Sequence, residues 1–155
     1  ILDNQQGAVF ADGELLLTAK TLDNGGGDIA GKADATIQVK NLNNQKGTLI
    51  STGVLKLTAD TLDNRQRGLL GSTKAMTLTV DELDNRGGEV STNADLSVTG
   101  TKLDNSDGGQ IFTGQALNFT VDQLLNRDKG LLSATDALNL QGRFLDNSGG
   151  KLLSV

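Results

Sequence analysis

The chain of 155 residues contains no Cys, His, Trp, Tyr or Pro. Without Cys it has no disulfide framework and no thiolate zinc site. Without His it lacks the commonest general base and metal ligand, and it cannot form a Ser-His-Asp triad. Aromatic residues make up only 3% of the chain, which argues against a large globular core. We therefore expect no catalytic residue, no metal and no cofactor in this chain.

Charge and hydropathy exclude further classes of protein. The formal net charge is −5, whereas nucleic-acid binding and docking on an anionic membrane both rely on basic patches. The negative charge therefore predicts no nucleic-acid partner. No apolar run is long enough to span a bilayer, so we also predict no membrane insertion of this segment. The 20 glycines indicate many turns.

One tripeptide, Leu-Asp-Asn, recurs along the whole chain, with Leu42-Asn43-Asn44 and Leu124-Leu125-Asn126 as variants. Successive copies are 20 or 21 residues apart. The asparagines of the eight copies are Asn4, Asn24, Asn44, Asn64, Asn85, Asn105, Asn126 and Asn147. A fixed period of this length is the signature of a stacked repeat architecture.

A glycine follows each of these asparagines after a short turn. The eight turn glycines are Gly7, Gly27, Gly47, Gly68, Gly88, Gly109, Gly130 and Gly150. An aliphatic residue always stands two positions after the glycine, and the next tripeptide Leu always follows that aliphatic by 13 residues. The length variation therefore lies between Asn and Gly. An exposed turn tolerates insertion, whereas one extra residue inside a strand would flip every later side chain.

Apolar residues alternate within each repeat, as at Leu15, Leu17 and Ala19, which is the pattern of a half-buried strand. A second short strand follows each turn glycine, with Val9 and Ala11 pointing inward in the first copy. A helical period is absent, and the turn-rich remainder leaves no room for the helix of a leucine-rich repeat. Because one repeat cannot bury its own apolar face, stacked copies must share a core.

We therefore predict an all-β fold, a β-solenoid of 20–21-residue rungs. Residues 1–155 form a single segment of about 7.5 repeats. The segment starts and stops in the middle of a repeat, and we expect it to be part of a much longer filament.

The alternation also predicts that Leu22 points inward, Asp23 outward and Asn24 inward. All eight copies have Asn at the inward site, whereas the neighbouring Asp is replaced in two of them. A turn former alone would not need to be Asn every time. We predict a ladder of stacked amides, each bonded to the next and to the turn backbone.

The pattern of Leu-Asp-Asn, short loop, Gly-x-aliphatic and Gly-x-Leu-x-Leu-x-Ala resembles the repeat of filamentous haemagglutinin-type exoproteins. These two-partner-secretion proteins include adhesins and contact-dependent growth-inhibition toxins. The resemblance implies a right-handed parallel β-helix, which agrees with the usual hand of parallel crossovers. It also implies a secreted filament on the bacterial cell surface, exported through an outer-membrane transporter.

The function implied is a structural stalk that holds a distal binding or toxin region away from the cell. A host or target-cell receptor would then be contacted through other regions of the parent protein. The alternative is a module that itself binds carbohydrate or a host receptor. A polysaccharide-cleaving β-helix enzyme is the third hypothesis.

The enzyme hypothesis rests on a column of aspartates: Asp3, Asp23, Asp63, Asp84, Asp104 and Asp146. Stacked rungs would set their carboxylates roughly 5 Å apart, a spacing that suits retaining glycosidases. Any repeated residue acquires that spacing, however, and an active site should break the repeat in one place. Calcium at this column or at Ser106-Asp107-Gly108 is a further alternative.

Two outward columns complete the candidates. Thr18, Thr58, Thr79, Thr99 and Thr120 form one of them, and strand propensity on a wet face is its simplest interpretation. Phe10, Ile50, Phe112 and Leu153 share the other, separated by smaller residues. An exposed apolar patch marks a partner site, but scattered apolar side chains are ordinary on surfaces. We favour the latter interpretation from the sequence.

Overall fold

The computed structural model describes all 155 residues as strands and turns without any helix. No element is therefore a helix long and apolar enough to cross a membrane. The strands in chain order are β1 (Leu2–Asp3), β2 (Ala8–Ala11), β3 (Leu15–Asp23), β4 (Asp28–Gly31), β5 (Ala35–Asn43), β6 (Thr48–Ser51), β7 (Leu55–Asp63), β8 (Leu69–Ser72), β9 (Met76–Asp84), β10 (Glu89–Thr92), β11 (Leu96–Asp104), β12 (Gln110–Thr113), β13 (Leu117–Leu125), β14 (Leu131–Ala134), β15 (Leu138–Gln141), β16 (Phe144–Asp146) and β17 (Lys151–Ser154).

Two parallel sheets run the length of the molecule. The long strands form one sheet in the order β1-β3-β5-β7-β9-β11-β13-β15, and β16 also pairs with β13. The short strands form the other sheet in the order β2-β4-β6-β8-β10-β12-β14-β17, and we number rungs 1 to 8 by these strands. Paired residues are one repeat apart, as for Leu22 with Leu42. The predicted parallel β-solenoid is confirmed.

The core is one continuous cluster of mostly aliphatic side chains between the two sheets. A cluster of 28 buried residues runs through the molecule, with Leu49 and Leu57 at 0% and 1% exposure. Phe119 is the one buried phenylalanine, at 2%, whereas the other three are at least 38% exposed. The core is therefore thin and continuous, and each rung is stabilised by burial against its neighbours.

Each long strand turns a corner that simple alternation does not predict. Asp60 and Thr61 both point outward in the middle of β7, although Ala59 before them and Leu62 after them are buried. Asp60 makes no ladder pair with either neighbouring rung. The alternation therefore shifts by one residue, which lets both halves of the strand face the core. Each rung has this corner in addition to the two predicted turns.

The turns continue the hydrogen bonding between rungs. Of the 115 backbone hydrogen bonds, 46 lie outside the regular strand ladders. Asn24 N–H donates to Asn43 O at 2.8 Å, and Asp28 N–H donates to Gly7 O at 2.9 Å. Each rung is thus bonded to its neighbours in its turns as well as in its strands.

Candidate functional site: the asparagine edge

The asparagine edge comprises the Leu-Asp-Asn segments and the turns that follow them. Its eight Asn side chains form one continuous hydrogen-bonded column. The Nδ2 group of each Asn except the last, Asn147, donates to Oδ1 of the next Asn, over seven bonds of 2.7–2.8 Å. The six asparagines from Asn24 to Asn126 have no exposed surface. All seven bonds point the same way along the rod, so neighbouring amide dipoles reinforce one another.

Each amide also satisfies the backbone of the next rung. Asn64 Nδ2 donates to Asn85 Oδ1 at 2.7 Å and to Glu89 O at 3.0 Å. Asn24 Nδ2 likewise donates to Thr48 O at 3.0 Å. The column thus ties the turn of one rung to the first strand residue of the next. The asparagine side chains therefore lie inside the rungs.

The turns themselves require left-handed backbone just before the glycine. Lys46 has a φ of 58°, and the longer turns contain two such residues, as at Gln66 and Arg67 with φ of 56° and 67°. The inserted residues therefore lie in the turn, between Asn and Gly. The shape of the strands is unaffected, because the extra residue is accommodated where the chain faces solvent.

The turn glycines are required by close packing against the preceding rung and not by a left-handed backbone conformation. Gly88 does not have a left-handed φ. A Cβ atom there would overlap the backbone oxygen of Asn64 and lie 2.7 Å from Asn85 Oδ1. The glycine column thus provides the space in which the amide ladder packs against the preceding rung.

The aspartates of the tripeptide close the turns. Asp63 Oδ1 accepts the backbone N–H of Arg65 at 3.1 Å, and Asp104 Oδ1 accepts that of Ser106 at 3.0 Å. This is the Asx-turn geometry, in which a carboxylate satisfies a backbone donor two residues later. Asn43 Oδ1 makes the same bond at 3.1 Å, which explains why Asn replaces Asp there.

A second set of residues, which were not among the predicted site residues, binds both oxygens of these carboxylates. Arg65 donates to Asp63 from Nε and Nη2 at 2.9 and 2.7 Å, and Arg86 makes the same two bonds to Asp84. Gln45 Nε2 donates to Asp63 Oδ2 at 2.7 Å from the preceding rung. The sequence signal was available, because the residue after Asn is Gln or Arg in five of the eight copies.

These contacts argue against a role for Asp63 as a general acid. Partial burial favours a raised pKa for Asp63, but the hydrogen bonds and charge of Arg65, with the Gln45 amide, outweigh it and hold the pKa below its ordinary value. Glycoside hydrolysis needs one carboxyl group with a raised pKa as its general acid. The structure also contains no group of three or more acidic side chains placed to hold a metal ion.

The column is interrupted at Leu125, where the aspartate is missing. Arg127 therefore lacks the tripeptide carboxylate that Arg65 and Arg86 bind in their own repeats, and its buried Nε has no hydrogen-bond partner. Its backbone N–H donates instead to Ser106 Oγ at 3.1 Å, a bond made between rungs. This interruption lies in a turn whose strands keep their regular register, as Leu124 pairs with Leu103.

The outward threonines do not contribute to the asparagine edge. Thr58, Thr79, Thr99 and Thr120 are exposed on the outer face of the long-strand sheet. In-register pairing stacks Thr79 on Thr58 and Thr99 on Thr79. These exposed threonines lie on a solvated strand face, where β-branched residues are common.

A family model described as the haemagglutinin repeat matches the chain at residues 10–79 and again at residues 55–154. No curated protein and no solved structure matches the chain. The two matched ranges overlap and together span residues 10–154, nearly the whole chain. The repeat is a structural, adhesin-type unit of secreted, surface-exposed proteins. The chain belongs to the haemagglutinin repeat family.

Proposed function

We propose that this chain is a structural stalk, a segment of a filament in a large secreted bacterial adhesin or contact-dependent growth-inhibition toxin. The stalk holds a distal binding or toxin region away from the cell. The observation that carries this proposal is the unbroken bonding between rungs. The short-strand ladder and the amide ladder both run through all eight rungs without a gap.

Continuous bonding of this kind supports a rod whose length is set by repeat number. Eight rungs have seven intervals, which at about 4.8 Å each give a rod of about 34 Å. Bending the rod would stretch hydrogen bonds on its convex side in strands and turns alike. The fold therefore suits a spacer, in which each added repeat extends the reach by a fixed step.

Export is the second part of the proposal, and it is supported by family membership and composition. An outer-membrane two-partner-secretion transporter is the proposed partner during export to the cell surface. A chain without Cys cannot be trapped by disulfides in an oxidising compartment before it reaches that transporter. Folding then requires only that each new rung stack on the previous one.

Small-angle scattering on chains of eight and sixteen repeats tests the stalk. The maximum dimension should rise by about 38 Å, because eight further rungs are added at the strand spacing. A dilution series separates this increase from end-to-end association of the rods. If the dimension instead grows as in a compact globule, whose radius increases only weakly with chain length, the stalk proposal is wrong.

A further inference from the structure

The outer face of the short-strand sheet, which we call the short-strand face, has an uneven apolar column. Phe10 is 73% exposed, Ile50 and Phe112 are each 38% exposed, and Leu153 is 47% exposed. In-register pairing places these four residues, with small residues between them, on one line along the rod. An open groove lies between Ile50 and Phe112.

Large and small side chains follow a symmetric order along this column. The large residues stand on rungs 1, 3, 6 and 8. The small residues stand on rungs 2, 4, 5 and 7, and they are Ala30, Gly71, Ser91 and Ser133. Gly71 and Ser91 form the floor of the groove. If a second copy faces this surface with its rungs in the reverse order and offset by one rung, its small residues lie opposite the large residues of the first copy.

Two copies can pack face to face across a two-fold axis that runs parallel to the strands at rung 4. Each outward column then faces the same column of the second copy, and the rungs of the second copy run in the opposite order. Ile50 then enters the space above Ser91 of the second copy, and Phe112 lies above Ala30 of the second copy. Gly71 meets Gly71 at the axis. Every large residue that has an opposite rung thus faces a small one.

The neighbouring outward column distinguishes this register from the alternative. With the axis at rung 4, Leu69 meets Leu69 of the second copy and Thr48 meets Glu89, which it can hydrogen bond. Moving the axis to rung 5 also interdigitates the apolar column, but it sets Glu89 against Glu89. Like charges placed directly opposite are destabilising, so the axis at rung 4 is favoured.

A parallel pairing is disfavoured for a related reason. A two-fold axis along the rod would exchange the two columns and keep the rungs in register. Asp28 would then face Ala30, and Lys151 would face Leu153. Both charges would lose water without gaining a partner, which carries a large desolvation cost.

We propose that the short-strand face binds a second copy of this chain in this antiparallel register. Seven rungs of about 4.8 Å and four residues of about 3.3 Å give roughly 440 Å² for each copy. That area is at the low end for specific interfaces, so one segment should associate weakly and a long filament more strongly. Antiparallel pairing joins filaments that point toward each other, as on two facing surfaces. This inference goes beyond the stalk and does not depend on it.

Sedimentation of the 155-residue chain over a concentration series measures the association. Ser91→Arg fills the proposed hole with a charged side chain and should weaken association by about tenfold or more, the loss typical of an interface hot spot. Thr99→Arg is the matched control, because it makes a similar change on the exposed opposite sheet in the same repeat. Equal association constants for the two variants would overturn the proposal.

Single cysteines determine the register, since the chain has no Cys of its own. With a short bifunctional thiol reagent, Leu69→Cys should give covalent dimers, because residue 69 meets itself at the axis. Glu89→Cys should give few, because its copy lies two rungs away. Dimers from Glu89→Cys alone would indicate the axis at rung 5, and equal yields would indicate parallel pairing. Either result, or no dimer from Leu69→Cys, would overturn the proposed pairing.

Discussion

Replacing Asn64 by Ala interrupts the amide ladder at its centre. The side chain accepts a hydrogen bond from Asn44 Nδ2 at 2.8 Å and donates to Asn85 Oδ1 at 2.7 Å. It also donates to Glu89 O at 3.0 Å, and it is fully buried. Alanine removes all of these bonds and leaves a gap that the surrounding turns cannot close without breaking their own bonds to adjacent rungs.

The magnitude of the loss follows from what remains unpaired. Asn44 Nδ2 loses its acceptor on Asn64 but keeps its hydrogen bond to Leu69 O at 3.1 Å, so this amide stays partly satisfied. Asn85 Oδ1, which is buried, loses its donor from Asn64. A buried polar group left unsatisfied costs about 1–3 kcal/mol, and we expect Asn64→Ala to lower the free energy of unfolding by about 2–3 kcal/mol.

The matched control is Asp63→Asn, one residue earlier on the outward side of the same edge. An amide at this column still closes the turn, as Asn43 does. The pair with Arg65 is lost, but both side chains are partly exposed, at 27% and 38%. Pairs of this kind contribute about 1 kcal/mol at most, so the control should be mild.

Urea denaturation followed by far-UV circular dichroism compares the variants, provided that the m-value is unchanged. Asn64→Asp gives a third comparison, because it keeps the shape of Asn64 but sets an oxygen against Asn85 Oδ1. At neutral pH it should destabilise at least as much as Asn64→Ala. Equal midpoints for Asn64→Ala and Asp63→Asn would refute the assignment of the amide ladder as the main polar stabiliser of this edge.

Three further outcomes are expected from the asparagine edge. Gly88→Ala should lower the thermal midpoint strongly, because its Cβ would overlap the preceding rung, whereas Gly13→Ala should be neutral, since no atom lies within 4 Å of a Cβ there. The folded-state pKa of Asp63 lies below its ordinary value of 3.8, so its ionised form stabilises the fold above that value; the difference between wild type and Asp63→Asn in urea midpoint should shrink as the pH falls through the folded pKa. Leu125→Asp should raise the free energy of unfolding by about 0.5–1 kcal/mol, measured by urea denaturation, because it offers a carboxylate to Arg127, whose buried Nε has no partner. A fall in stability would show instead that the Leu125 side chain contributes more by packing.

Much of the fold could be predicted because every signal is repeated. The alternation at Leu55 and Leu57 indicates which side chains are inward, and the constant distance to the next tripeptide fixes the register. Alternation counted within the tripeptide, from Leu62, predicts the inward direction of Asn64, and the constant spacing locates the inserted residues in the turn. These are local properties, since the direction of a side chain along a strand depends only on its position.

The corner in each long strand was not predicted, because it interrupts that local rule. Asp60 and Thr61 both face solvent, and nothing in their side chains distinguishes this from a regular strand. The corner arises because Leu62 and Asn64 must reach the same core as Ala59 from a different side. Only closure of the rung around a shared core requires that shift.

The sequence by itself determined the repeat, the apolar side chains that point inward on each side of the corner, and the column of asparagines, because these depend on positions close together in the chain. The tertiary structure decided which groups meet across the rungs. Arg65 binds Asp63 of its own rung while Gln45 reaches the same carboxylate from the rung before, and Gly88 lies against Asn64. These contacts join residues up to 24 positions apart, and their distances are fixed only when the rungs have stacked at the strand spacing.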